Sequence, residues 1–100
     1  MNDLVHTYSD VVRDGEGRGY VASVHALERV DGLWEAWIEF QGIGHDITLR
    51  TGRESEQSDR RGVKYWASGL QPSYLDGALR RALRARLVQL RTLLEGRAAG

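Results

Sequence analysis

The sequence predicts an α+β domain: an antiparallel meander of three to four strands followed by one short and one long C-terminal helix packed on one sheet face. Three observations support this. Short apolar stretches in the first half are separated by glycine-containing turns. The apolar period changes from two to nearly four after residue 60. Six leucines, Leu75, Leu79, Leu83, Leu87, Leu90 and Leu94, then recur at spacings of four, four, four, three and four.

Each strand is bounded by a turn signal. Leu4 to Arg13 ends at Asp14-Gly15-Glu16-Gly17-Arg18-Gly19, a flexible connection. Gly15, Gly17 and Gly19 give a GxGxG pattern, but a strand follows where a phosphate loop needs a helix start, so a plain hairpin loop is the reading. Tyr20 to Val30 and Leu33 to Gln41 flank Asp31-Gly32, the dipeptide that two-residue type I′ hairpins favour. A fourth strand, Asp46 to Thr51, follows Gly42-Ile43-Gly44.

Val63, Trp66, Ala67 and Leu70 keep the spacing of a short helix, which a left-handed Gly69 would terminate. Pro72 and Ser73 open the long helix, where Ser73 and Asp76 fit a capping box. Its leucine stripe is expected to clamp the sheet. Residues 1–95 read as one domain, and Gly96 to Gly100 as a flexible tail.

A two-residue turn puts Val30 opposite Leu33. Trp34, Ala36, Ile38 and Phe40 then share the core face with Leu27, His25, Ser23 and Val21. The opposite face collects Trp37 with Tyr20, Val24, Glu35 and Glu39, an apolar patch rimmed by carboxylates, as association surfaces are. These five residues are the candidate interaction surface; a bulge or a covering loop is the competing reading.

Charge is segregated. Residues 1–58 hold 5 Lys/Arg against 11 Asp/Glu, and residues 59–100 hold 9 against 3, with zero net charge overall. Arg80, Arg84 and Arg91 line one side of the leucine stripe, Arg81 lies further round, and Arg86 falls inside the apolar sector. This ridge pairs with the acidic sheet or a second subunit, or alternatively binds nucleic-acid phosphates. Arg50, Arg53 and Glu54 sit in the most polar loop, where a strand meets a helix, and form a weaker candidate for a small polar ligand.

Chemistry is sparsely signposted. With no cysteine, thiolate catalysis, thiolate metal sites and disulfides are excluded. His6, His25 and His45 are scattered without paired spacing, so no metal site or cofactor is expected, and His25 reads as a structural core histidine. No nucleophile–base pair can be picked out. No secretory leader or membrane-length apolar run is seen, so the expectation is a cytoplasmic protein with no membrane association.

The stretch Leu49-Arg50-Thr51-Gly52-Arg53-Glu54-Ser55-Glu56-Gln57, followed by Tyr65-Trp66-Ala67-Ser68-Gly69-Leu70-Gln71-Pro72-Ser73-Tyr74-Leu75-Asp76-Gly77-Ala78-Leu79, resembles a group of small bacterial proteins of uncharacterised role. Asp31-Gly32-Leu33-Trp34-Glu35-Ala36-Trp37 is similar to theirs too. The resemblance implies a bacterial cytosolic protein and supplies no activity. The expected function is therefore a non-catalytic protein-interaction or assembly domain, possibly a homodimer, with nucleic-acid association as the alternative.

Overall fold

The computed structural model describes residues 2–99. The strands are β1 (Asp3–Thr7), β2 (Val12–Arg13), β3 (Gly19–Glu28), β4 (Trp34–Gly42), β5 (Thr48–Arg50) and β6 (Ser55–Gln57). Two helices follow, α1 (Arg60–Ser68) and α2 (Pro72–Ala99), giving the expected α+β architecture. The fold is one antiparallel sheet in the order β1-β3-β4-β5, with β2 also on β3 and β6 also on β4.

The predicted first strand is split, and part of the polar loop after β5 forms a sixth strand against Trp34–Ala36. The sheet edges are short or irregular. β1 carries a bulge between Leu4 and His6, while β5 and β6 have three residues each, features that blunt edge-to-edge pairing.

The hairpin between β3 and β4 corrects the expected register. Arg29 N–H bonds to the Leu33 carbonyl at 2.8 Å, and Gly32 N–H bonds back to the Arg29 carbonyl at 2.9 Å. Gly32 has φ 86°, so the loop is three residues, Val30-Asp31-Gly32, closing as a turn with a glycine bulge. The Asp31 carboxylate accepts from the Leu33 amide and pairs with Arg29, holding that longer loop. One extra loop residue slides β3 by one position, and a one-residue slip exchanges strand faces. Val24 therefore pairs Ile38 and Ala22 pairs Phe40.

The core consequently lies under Tyr20, Ala22, Val24 and Ala26 with Ala36, Ile38 and Phe40. Both helices cover this side. α1 begins at Asp59, whose carboxylate caps the Gly62 amide at 2.7 Å, and buries Val63 and Ala67. It ends at Gly69 with φ −93°, not in the left-handed conformation, because that amide bonds back onto the last turn. Tyr8 ties α1 to the sheet, its hydroxyl donating to the Ala67 carbonyl at 2.6 Å.

α2 starts with Pro72 in its first turn and Gln71 accepting from the Tyr74 and Leu75 amides. Ser73 thus sits inside the turn, and the Ser73–Asp76 capping box is absent from the hydrogen bonds of the described residues. The helix takes in Gly96 and continues to Ala99, within the segment expected to be a tail; Gly100 lies outside the described residues.

Only the first three turns of α2 pack on the sheet. Leu75, Ala78, Leu79 and Ala82 are buried and Leu83 half-buried, whereas Leu87, Leu90 and Leu94 are exposed. The expected clamp of six leucines is a clamp of three. Geometry explains this: a step of four residues overshoots one helical turn by about 40°, so a four-four-four stripe rotates off the sheet. The rest of α2 projects as an arm, and the Cα radius of gyration is 15.0 Å, against about 13 Å for a compact chain of this length.

Candidate interaction surface

The Trp37 face of the sheet is uncovered by either helix, as its sequence position requires, but its membership differs from the expectation. Tyr20 and Val24 are fully buried on the helix side, removed from Trp37 by the register slip. Their places are taken by Val21, Ser23, His25 and Leu27, so His25 lies beside Trp37 and not in the core. Glu35 and Glu39 do flank Trp37.

Trp37 is nonetheless only 4% exposed. The Arg50 guanidinium sits 4.3 Å from the ring centroid, and His25 stacks beside it at 6.3 Å and 18°. The indole N–H donates to Glu39 Oε2 at 2.9 Å, and Ser23 Oγ contacts His25 Nε2 at 3.0 Å. Cross-strand neighbours thus shield the tryptophan that a partner was expected to meet, leaving a small, mostly polar face.

Arg50, Arg53 and Glu54 do not converge. Arg50 covers Trp37, and Arg53 pairs with Glu56 at 3.1 Å. Glu54 turns to the helices, accepting from the Tyr74 hydroxyl at 2.5 Å and pairing with Arg81. The loop is a structural bridge. Burial, followed by the Glu54 hydrogen bond, raises the Tyr74 pKa.

The β2–β3 loop is likewise organised internally. Asp14 accepts from the amides of Glu16 and Arg18, from Arg18 Nε at 2.8 Å and from the Tyr20 hydroxyl at 2.9 Å. Desolvation pushes its carboxyl up, but these four donors outweigh it and hold the pKa at about 2. The GxGxG pattern is therefore a loop wound around its own aspartate. His45 likewise serves its neighbours, contacting the Gly19 carbonyl at 2.9 Å and the Ile47 amide.

The basic ridge is where the sequence left most unassigned, and it lies on the arm. Arg81 pairs with Glu54, and Arg91 reaches Glu95 at 3.9 Å. Arg80, Arg84 and Arg86 have no ion-pair partner among the described residues. Among the described residues the acidic first part and the basic second part meet in two ion pairs, Asp3–Arg60 and Glu54–Arg81, which leave most arginines of the last helix without an internal partner.

Beside these arginines runs a second apolar seam, Leu83, Leu87, Leu90 and Leu94, at four, three, four spacing. Leu87, Leu90 and Leu94 are 66%, 45% and 65% exposed, and Val88 and Leu93 are open as well. Half of the ten exposed large hydrophobics among the described residues thus fall within residues 87–94. That density marks an interaction surface, where scattered exposed leucines would not. It was legible in the drift of the stripe, but six leucines in one line read first as core.

Among the described residues no group of three histidines and carboxylates could hold a metal ion, and no helix is long and apolar enough to cross a membrane. Comparison with protein-family models, with curated proteins and with solved structures finds no match, so the geometry stands alone.

Proposed function

We propose that the chain is a non-catalytic assembly domain that associates with itself through the C-terminal arm of α2. The observation behind this is the exposed seam Leu87, Leu90 and Leu94 on a helix that has already left its own sheet. The surface area supports it. The chain exposes 6829 Å², while a compact monomer of its mass exposes about 5,700 Å². The surplus of about 1,100 Å² exceeds the ~800 Å² that each partner contributes to a standard interface.

Energetics set the scale. Covering what remains exposed of these three leucines contributes about 1–2 kcal/mol each, or about 6–12 kcal/mol over two copies. Lost rigid-body freedom costs about 4–15 kcal/mol. The seam alone gives a weak dimer, so a stable one recruits further surface.

Sedimentation of the full chain tests the reading. The expected result is a dimer at tens of micromolar that the double variant Leu87→Glu/Leu90→Glu converts to a folded monomer. A wild-type chain that stays monomeric at several hundred micromolar removes it.

A second reading has its own observation: among the described residues Arg80, Arg84 and Arg86 lack ion-pair partners, which suits contact with nucleic-acid phosphates. Its signature is binding of random-sequence RNA or DNA that weakens steeply across a salt series. Exposed leucines between the arginines favour the first reading, because phosphates cannot use them.

A further inference from the structure

We infer that the two copies pair antiparallel about a two-fold axis near residue 88 of α2, each arm lying in a groove beside the first half of the other copy's α2. This rests on the self-association reading, and adds to it the occupant, the direction and the register.

The groove runs along α2 on the side of the β2–β3 loop. Two adjoining cavities, 540 and 430 Å³, share Asp14, Gly15 and Leu83. Leu79, Leu83 and Leu87 make an apolar wall along the helix with Val11 and Ile47, while charged residues, among them Asp14, Glu16, Asp76 and Arg80, line the rest. From Leu79 to Leu87 the groove is about 12 Å long, and from Leu87 to Leu94 the seam is about 10 Å, at about 1.5 Å per residue. The leucine wall of the groove and the leucine seam are similar in length. They belong to one continuous helix, so the seam cannot fold back into its own groove. A second copy is the occupant.

Self-complementarity sets the direction. Groove and seam lie at opposite ends of the same helix, so both are covered at once only when the helices run in opposite senses. A parallel pair would stack seam on seam and leave each groove open. The antiparallel pair sets Leu83 near Leu94 and Leu87 near Leu90. It also levels Arg86 with Arg91 of the other copy, a like-charge approach that Glu95 counters as it is carried toward Arg80 and Arg84 of that copy, two arginines with no ion pair among the described residues.

The chain has no cysteine, so introduced thiols report without background. Full-length Leu83→Cys and Leu94→Cys variants are mixed under mild oxidation. Disulfides need Cα atoms within about 7 Å, and two Leu94 positions in the antiparallel pair stand about 16 Å apart along the axis. The expected result is a mixed disulfide forming at least tenfold faster than either homodimer. Rapid Leu94→Cys homodimers mean a parallel pair and overturn the geometry. A wild-type dimer whose mixed variants fail to cross-link means another surface is used, again overturning the geometry while self-association stands. A monomeric wild-type chain removes the underlying reading as well. A charge exchange needs no half-buried position. Glu95→Arg loosens the dimer about tenfold and adding Arg84→Glu restores it; failure of that restoration overturns the register.

Discussion

Leu79 and Leu87 stand on one leucine stripe eight residues apart, yet Leu79 is 1% exposed and Leu87 66%. Two successive four-residue steps rotate the second side chain about 80° away from the first. The pair divides α2 into a segment that belongs to the core and a segment that does not. Substitutions separate the two roles. Leu79→Ala lowers unfolding free energy by about 2–5 kcal/mol. Leu87→Ala leaves it within about 0.5 kcal/mol of wild type when both are measured as monomers. Denaturant titrations at low protein concentration check both.

The bridge from Glu54 to Tyr74 and Arg81 fixes α2 on the sheet, and Glu54 is largely buried beneath it. Glu54→Ala leaves a half-buried phenol and a guanidinium without their acceptor, a loss of about 1–3 kcal/mol. Arg81→Ala removes only the more exposed partner and costs about 0–1 kcal/mol. Equal effects in thermal unfolding would contradict the geometry.

Tyr8 gives the alkaline limit. Burial, with a smaller contribution from Tyr74, pushes its pKa up to about 12. A raised folded-state value means that its share of stability is fully present below pH 10 and is lost as pH rises through 12. Tyr8→Phe removes the hydrogen bond to the Ala67 carbonyl at a cost of about 0.5–1.5 kcal/mol. The variant is then less sensitive to pH between 10 and 12 than wild type, a difference that denaturation curves across that range detect.

Asp14 gives the acid limit. Its carboxyl is held at about 2, so its contribution is present above the ordinary carboxylate range and is lost as pH falls toward 2. Amide exchange should therefore show Glu16 and Arg18 protected at pH 5 and released near pH 2. Asp14→Asn shows less of this acid-dependent change, since an amide side chain does not titrate.

Gly32 carries the register. With φ 86°, it occupies backbone space that costs an L side chain about 1–2 kcal/mol. Gly32→Ala destabilises by that amount, while Val30→Ser, at a side chain standing wholly in solvent, changes stability by less than about 0.5 kcal/mol. Chemical denaturation of the two variants is the check.

The fold class was written in local patterns: turn dipeptides bounding apolar runs, an alternating β4 whose Ile38 side is core, and a long amphipathic helix. These depend on neighbours in the chain, which a sequence displays directly. The number of residues in the Val30-Asp31-Gly32 loop was decided by the Asp31 carboxylate reaching Arg29 and the Leu33 amide. That single residue moved Tyr20 and Val24 into the core and His25 onto Trp37. The sheet's extent decided where α2 stops being covered. Arg50 lies over Trp37 because β5 happens to pair with β4 at that register. Side-chain faces alternate at every residue in a strand and drift steadily along a helix. Small offsets in register or length therefore decide which residues meet, and such offsets exist only once the chain has closed on itself.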